Sequence, residues 1–323
     1  MISLSRALRV IVAMGLTAIV LYQADAGSVL QAVERTRPGP LVGAVALVIA
    51  DRALMWWRWV ALLRTIDVPR RPPLMDVARV FFVSTFVGTF LPASIGGDAV
   101  RTVAVARLGV PAGGAAASVV LDRLLGVISI LAMAAIGLML ARELLTNAAI
   151  LAALVLTMAV SSAGLALIFS ERAARLARFV SRAVPTEAGR RLSSDVVDIF
   201  RLHRHERRLL ALVLIASIAV QVLRVLEAWV LGLALGIPAG IWTYFAFVPL
   251  ILLIMLLPVT INGIGTSQAA FVWLFGSAGV DPGSSFALSL LFLALGVIGN
   301  LPGALMYATA PAVRRGHDVR NSA

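Results

Sequence analysis

The chain has 323 residues, of which 60% are hydrophobic and only 14% are charged, and its mean hydropathy is +0.97. About a quarter of the residues of a soluble globular chain are charged, so this composition excludes a soluble domain. The net charge of +12 does not indicate nucleic-acid binding, because all 28 basic residues are Arg and they cluster beside apolar runs, as membrane topology and anionic headgroups require. Without Cys, and with its three His in polar stretches, the chain is expected to hold no metal and no cofactor.

The apolar runs predict an all-α polytopic membrane protein, with residues 1–323 forming a single transmembrane domain. About 20 apolar residues span a bilayer, and about six runs approach that length. In chain order the predicted spans are Ala7–Tyr22, Leu41–Leu63, Ala115–Leu140, Ala148–Phe169, Leu209–Leu235 and Phe286–Ala310. The first run lacks a clean signal-peptide cleavage site, so it is predicted to be a retained helix.

Two further apolar regions, about 74–108 and 241–276, are interrupted. The breaks fall at Pro92, Gly96 and Gly97 in the first region, and at Pro258, Gly263 and Gly265 in the second. Most of the resulting halves are short for a straight crossing. Each region is therefore predicted to be a re-entrant hairpin or a broken helix pair, with two kinked crossings as the alternative.

Arginine asymmetry predicts the orientation. With both termini in the cytoplasm, the inside segments 64–73 and 170–208 carry three and ten Arg, whereas the outside segments together carry three. This is the positive-inside pattern, and it predicts a multi-pass protein of a bacterial cytoplasmic membrane. Within 170–208, the residues Arg175, Arg178 and Arg182 recur at helical spacing and predict an interfacial amphipathic helix.

A weak internal repeat relates the two interrupted regions. LPASIGG at 91–97 matches LPVTING at 257–263, and each copy is followed by a second proline and a long apolar helix. The repeat halves are about 74–140 and 241–310. The predicted topology makes the two hairpins enter from opposite sides, as an inverted repeat, and broken helices in such repeats indicate a transport site near the bilayer midplane.

Nine charged residues lie inside the apolar segments: Asp51, Arg52, Arg58, Asp98, Arg101, Asp122, Arg123, Arg224 and Glu227. Each costs roughly 2.5–3.5 kcal/mol at a helix centre unless it is satisfied. They must therefore pair, line water or lie near an interface. Five Arg against four acids is a slight positive excess, which suits an anionic phosphate headgroup.

Spacing predicts which of these charges pair. Asp98 with Arg101, and Arg224 with Glu227, are three residues apart and share a helix face, and Gln221 extends the second stripe. The adjacent Asp122 and Arg123 diverge, so each needs a partner on another element.

Fixing helix register is the alternative role of all these charges. For Asp51, Arg52 and Arg58 the two roles are balanced, and Arg58 has snorkelling as a further alternative. For the four charges at 98, 101, 122 and 123, which adjoin the first break, a functional role is favoured. The stretch SIGGDAVR either cradles a phosphate at a helix start or forms a tight turn with positive φ at Gly96 or Gly97.

The segments FLPASIGGDAVRTVAVARLG and AASVVLDRLLG resemble the flippase-like transmembrane family, which shares its fold with the membrane half of lysylphosphatidylglycerol synthase. The family pattern LPxxxGGDxxR followed by DRxxG matches Pro92, Gly96, Gly97, Asp98, Arg101, Asp122, Arg123 and Gly126. The second family block, LPxxxGGxGxxE, is matched less closely. Asn262 stands where Gly is usual, and Gln268 stands where Glu is usual, which puts a proton-coupled role at that position in doubt.

The resemblance implies lipid translocation or a part in envelope lipid synthesis. Lysyl transfer is not expected, since no synthase domain follows residue 323. The leading hypothesis is a transporter-like protein that moves a phospholipid, glycolipid or polyprenyl-linked lipid and is not an enzyme. The alternatives are a non-transporting partner of a lipid-modifying or glycosyl-transferring enzyme and, least favoured, an intramembrane enzyme. The expected lipid-binding residues are Gly96, Gly97, Asp98, Arg101, Asp122, Arg123, Arg224, Glu227, Asn262 and Gln268.

Overall fold

The structure is a computed structural model that describes residues 36–90, 95–140, 206–256 and 263–309, with a few single helical positions at 31, 34 and between 148 and 159. The four ranges form eight α-helices and contain no strand. In chain order these are α1 Pro38–Leu63, α2 Leu74–Phe90, α3 Ile95–Ala106, α4 Ala112–Leu140, α5 Arg207–Ala234, α6 Ile241–Leu256, α7 Thr266–Ser277 and α8 Pro282–Ala308. The all-α prediction is confirmed for this part of the chain.

Four helices, α1, α4, α5 and α8, are long and apolar enough to cross a membrane. The shortest, α1, has 26 residues, so its length of about 39 Å exceeds the roughly 30 Å hydrocarbon core. These helices confirm the predicted spans 41–63, 115–140, 209–235 and 286–310. The predicted spans 7–22 and 148–169 and the loop 170–208 lie outside the described residues, apart from a few positions, so the total of about six spans stays a prediction.

The long helices carry their apolar side chains outward. Val42 on α1, Ile215 on α5 and Leu305 on α8 are 72%, 63% and 68% exposed. Asp51 and Asp122, in contrast, are 1% and 3% exposed. A soluble helix bundle has the reverse arrangement. The described helices therefore belong to a multi-pass membrane protein whose outer surface faces hydrocarbon.

Each interrupted region is a pair of shorter helices. α2 and α3 have 17 and 12 residues, and α6 and α7 have 16 and 12. The intervening residues 91–94 and 257–262, with Pro92, Pro258 and Asn262 among them, lie outside the described residues. The helices on either side are close to the predicted bounds. Whether the pairs are re-entrant stays a prediction.

Glycines at the two breaks differ in conformation. Gly263 and Gly265 have φ of 77° and 88°, the left-handed region that favours Gly. Gly97 lies inside α3, where a Cβ atom would come within 2.8 Å of the Ser84 carbonyl oxygen and 3.0 Å of the Gly88 Cα atom. The alternative of a positive-φ turn at 96–97 is therefore wrong. Glycine is needed at 97 because α2 and α3 touch backbone to backbone.

Helices from the two halves of the chain pack against each other reciprocally. α2 packs on α8, and α6 packs on α4. At both crossings a glycine of the long helix meets a backbone carbonyl of the short helix with no room for a Cβ atom: Gly303 meets Phe82, and Gly137 meets Phe245. Between these units α1 packs antiparallel to α5, because Asp51 contacts Arg224 while Arg58 contacts Ser217.

Candidate functional site

Asp122 lies at the centre of a buried group of charges. From α4, its Oδ1 atom accepts a hydrogen bond of 2.6 Å from Nε of Arg58 on α1. Its Oδ2 atom lies 3.9 Å from Nη1 of Arg101 on α3. The exposed fractions of Asp122, Arg58 and Arg101 are all 5% or less. We call these three residues the buried triad; it ties the first broken pair to two spanning helices.

The guanidinium of Arg101 is held by further contacts with α1 and α2. Its Nε and Nη2 atoms donate to the hydroxyls of Ser84 and Thr85, each at 3.2 Å. Its Cζ atom lies 4.6 Å from the ring centre of Phe81 and 5.2 Å from that of Trp59. Aromatic faces attract cations at such distances. The planar group is therefore fixed in position even though its carboxylate partner is distant.

Arg58 is fixed by contacts with two other helices, α4 and α5. Besides Asp122 on α4, its Nη1 atom donates to the hydroxyl of Ser217 on α5 at 3.0 Å. A Cβ atom at Gly126, the glycine of the DRxxG pattern, would lie 3.8–3.9 Å from the two Nη atoms of Arg58. Glycine at 126 thus leaves room beside this guanidinium. The alternative that Arg58 snorkels is wrong, because its side chain is 4% exposed and paired.

A second ion pair joins α3 to α4 near the surface. Arg123 donates to both carboxylate oxygens of Asp98, from Nε at 2.6 Å and from Nη2 at 3.1 Å. The side chains of Asp98 and Arg123 are 17% and 44% exposed. Asp122 and Arg123 do diverge to partners on other elements. Asp98, however, pairs with Arg123, whereas Arg101 of the predicted Asp98–Arg101 pair faces Asp122.

The Asp98–Arg123 pair is neutral, but the buried triad is not. Asp98 and Arg123 neutralise each other, whereas the buried triad has two guanidinium groups and one carboxylate. Within the described residues the triad therefore has a net charge of +1. A phosphate oxygen is the kind of group that this excess attracts, and Arg presents the planar fork of donors that matches it.

A second charged cluster lies on α1 and α5. Asp51 accepts a hydrogen bond of 3.0 Å from Arg52, and its other oxygen lies 3.4 Å from Nε of Arg224, an ion-pair contact without hydrogen-bond geometry. Both arginines also donate to the sulfur of Met55. Arg224 thus pairs with Asp51, and not locally with Glu227 as predicted. We call Asp51, Arg52, Arg224 and Glu227 the second cluster.

Polar side chains connect the two charged groups. On α5, Gln221 lies between Ser217, which contacts Arg58, and Arg224, and its amide donates to Ser129 of α4 at 3.0 Å. Asp51 and Arg58 are seven residues apart on one face of α1, which is about 10 Å along the axis. Polar side chains between α1, α4 and α5 therefore connect the second cluster to the buried triad. We call Ser129, Ser217 and Gln221 the polar seam.

The second broken pair has neutral polar groups in place of charges. Gln268 is 1% exposed, and its side-chain oxygen accepts from the Gly265 backbone N–H at 2.6 Å and from the Ser267 hydroxyl at 3.1 Å. It therefore caps the start of α7. Another neutral contact involves the first broken pair, where Asn300 of α8 donates to Thr89 of α2 at 2.8 Å. The expected role of Gln268 in lipid binding stays a prediction.

Several contributors to the buried triad were not singled out from the sequence. Arg58 was noticed as a charge in a span, but its partner was not. The others are Trp59, Phe81, Ser84, Thr85 and Ser217. Ser and Thr hydroxyls in helices often bond only to their own backbone, and aromatic residues are common in any core. The sequence therefore holds no local signal that distinguishes them.

Two other features lie apart from these charges. A pocket at the end of α1 is lined mainly by apolar side chains, Val60, Leu63, Ile66 and Val77 among them, with Arg64 and Arg71. No group of three or more His, Cys, Asp or Glu side chains that could hold a metal ion occurs among the described residues. The buried triad and the second cluster lie instead between packed helices, whereas the Asp98–Arg123 pair is partly exposed.

A search among curated proteins finds no match. A family model described as "Lysylphosphatidylglycerol synthase TM region" matches residues 6–303, which include every described helix except the last turn of α8. Over this length the match also takes in both broken pairs and both charged groups. The chain therefore belongs to the family of the lysylphosphatidylglycerol synthase transmembrane region.

Proposed function

We propose that this protein binds the anionic headgroup of a membrane lipid at the buried triad and moves it across the bilayer. The observation that carries the proposal is the net positive charge of Arg58, Arg101 and Asp122, each 5% exposed or less. The family supports it, since it indicates a membrane protein of the lipid or envelope-biosynthesis type. No group transfer is part of the proposal.

Electrostatics favour an anion at this place. An uncompensated guanidinium inside hydrocarbon costs roughly 2.5–3.5 kcal/mol on insertion scales. Asp122 gives its short contact to Arg58, and Arg101 has a carboxylate oxygen only at 3.9 Å. A phosphate beside Arg101 would supply the missing charge and accept from the same planar group that now bonds to Ser84 and Thr85.

Headgroup access involves the exposed pair. Asp98 and Arg123 cover the α3–α4 contact on the side where Arg123 is 44% exposed. The proposed route brings water and the headgroup to this pair, and ion pairs in water are weak, so an incoming phosphate competes with Asp98 for Arg123 at little cost. Displacement of Asp98 removes one of the two ion pairs between α3 and α4 and opens the way to Arg101, while the acyl or prenyl chain stays in the bilayer.

The proposed transport path lies between two hairpins that enter from opposite membrane faces. Packing at the helix ends supports this arrangement. Val110, after α3, shares a core with Val60 and Leu63 at the end of α1. Val280, after α7, shares a core with Ile237 and Tyr244 at the other end of the bundle. Arginine counts support a cytoplasmic location for the first of these ends.

Lipid movement in vesicles tests the proposal. In proteoliposomes with a labelled anionic phospholipid, Arg101→Lys should slow transfer between leaflets, because an ammonium group lacks the planar fork, and Arg101→Ala should slow it further. Arg107→Ala is the matched control, since Arg107 is an exposed residue just after α3. Parent-like transfer by both Arg101 variants would show that the site is wrong. Failure of both to fold would indicate that these charges only hold helices in register. A parent protein that moves no lipid would favour the non-transporting partner.

A further inference from the structure

Glu227 belongs to the second cluster but takes no part in its two ion pairs, Asp51–Arg52 and Asp51–Arg224. Its side chain is 4% exposed, and its Oε1 atom has no hydrogen-bond partner among the described residues. Asp51, in contrast, contacts both Arg52 and Arg224. A buried acceptor without a partner costs free energy. The packing of α1 against α5 is already secured by Asp51, so it does not explain Glu227.

The charged groups near Glu227 come from one neighbouring helix, α1, and from α5 itself. α5 packs against α1, α4, α6 and α8. The nearby charges are Asp51 and Arg52 of α1 and Arg224 of α5 itself. α6 has no charged side chain; its titratable group is the buried, unpartnered hydroxyl of Tyr244, which lies against Gly232 of α5. α4 has Asp122 and Arg123, which are paired elsewhere, and α8 has only the exposed Tyr307.

The surroundings of Glu227 suit a proton better than any other cation. Within the described helices no set of three acidic or His side chains exists to hold a metal ion. A proton needs only a carboxylate oxygen. The Glu227 carboxyl group is buried, and its Oε1 atom lacks a hydrogen-bond partner among the described residues, so ionising it is costly and a neutral carboxyl group avoids that cost.

The position of Glu227 connects it to the buried triad. Asp51 is the fourteenth of the 26 residues of α1, so the second cluster lies near the middle of a span. The polar seam through Gln221 and Ser129 leads from there to Arg58 and Asp122. With both carboxylates ionised the second cluster is neutral, and with Glu227 protonated its charge is +1. Charges interact over such a distance when little water lies between them.

We propose that Glu227 is a proton-binding site that couples headgroup movement to the pH difference across the membrane. The Glu227 carboxylate accepts one proton from water on one side and releases it on the other; no other bond forms or breaks. The charge of the second cluster rises and falls by one, which changes the attraction of the adjoining triad for an anion. The coupling rests on the proposed function, whereas proton binding by Glu227 does not.

Infrared difference spectroscopy tests proton binding without any lipid assay. The carbonyl stretch of protonated carboxyl groups is recorded over a pH series for the parent, Glu227→Gln and Glu227→Asp. The parent should show a pH-dependent band that disappears in Glu227→Gln and shifts in Glu227→Asp. Glu206→Gln is the matched control, because Glu206 is an exposed carboxylate at the start of the same helix. A band that is unchanged in Glu227→Gln overturns the proposal.

Transfer of labelled phosphatidylglycerol in vesicles with an imposed pH gradient tests the coupling. Parent transfer should respond to the direction of the gradient, and Glu227→Gln should lose that response. A parent that ignores the gradient, or a variant that keeps the response, overturns the coupling. If the parent moves no lipid under any gradient, the proposed function fails together with the coupling, while the infrared band still decides whether Glu227 binds a proton. If Glu227→Gln does not fold, the parent and Glu227→Asp spectra decide.

Discussion

Two ion pairs join α3 to α4, and they differ in length and in burial. Asp98 and Arg123 make a bidentate contact of 2.6 and 3.1 Å, but Arg123 is 44% exposed. Arg101 lies 3.9 Å from Asp122, and both are buried. On the proposed headgroup route the Asp98–Arg123 pair meets water, and water and salt screen such a pair. Breaking a buried pair leaves a buried charge without an opposite charge beside it. The longer contact therefore matters more for stability, and burial is a better guide than distance.

The largest effect is expected from Asp122→Asn. The substitution keeps the shape of the side chain but leaves the guanidinium groups of Arg58 and Arg101 buried without a carboxylate. Removing one partner of a buried pair costs about 3–5 kcal/mol. The free energy of unfolding in mixed micelles should fall by about that amount. Asp98→Asn is the matched control. An equal loss in the free energy of unfolding in both variants would contradict the view that the buried pair matters more for stability.

A smaller loss is expected from Phe81→Leu. The ring of Phe81 faces the Arg101 guanidinium at 4.6 Å in a buried setting, where such contacts contribute up to about 2 kcal/mol. Unfolding measurements on Phe81→Leu, Arg101→Met and the double variant isolate this contact. Purely additive losses would mean that the ring only fills space.

Asp98→Asn should destabilise the protein by at most about 1 kcal/mol, because the pair that it breaks is partly exposed and meets water on the proposed headgroup route. The loss should shrink further at high salt, whereas the loss in Asp122→Asn should persist. Unfolding curves at low and high ionic strength check both statements. If the loss of stability in Asp98→Asn does not depend on salt, the Asp98–Arg123 pair behaves like the buried pair and the prediction is wrong.

The smallest effect is expected from Gly126→Ala. The added Cβ atom would lie 3.8–3.9 Å from the Arg58 guanidinium, an ordinary van der Waals contact. Alanine also suits a helix interior better than glycine, so stability should rise by about 0.5 kcal/mol. Gly126→Leu is the comparison, since its longer side chain has to displace Arg58. A destabilised alanine variant would show that the triad is packed more tightly than its distances indicate.

Sequence patterns predicted the elements better than the contacts. The four long helices follow from run length, and the two broken pairs follow from Pro and Gly positions. The divergence of Asp122 from Arg123 also follows from helix geometry. The partners did not follow, because the spacing of Asp98 and Arg101 favours a local pair, whereas helix packing brings Arg123 and Asp122 to them instead. Nothing in the local sequence states how α1, α3 and α4 are rotated against one another.

The same limit explains the glycines and Arg58. A glycine pair before Asp98 is compatible with a turn or with a close helix contact, and only the position of Gly88 on α2 decides for the contact. Arg58 lies five residues before the end of α1, where snorkelling is common. Its burial depends on Asp122 and Ser217, which come from two other helices. The inverted arrangement and the total number of spans stay predictions.

The crossings at Gly137 and Gly303 also limit how the protein can open. Because no side-chain atom fits between Gly303 and Phe82, or between Gly137 and Phe245, sliding along these contacts would meet backbone atoms directly. We therefore expect α2 to travel with α8, and α6 with α4, as two rigid bodies. Each body then takes one short helix from one half of the chain and one long helix from the other. We expect the protein to open by a rotation of one rigid body against the other about an axis that runs along α1 and α5.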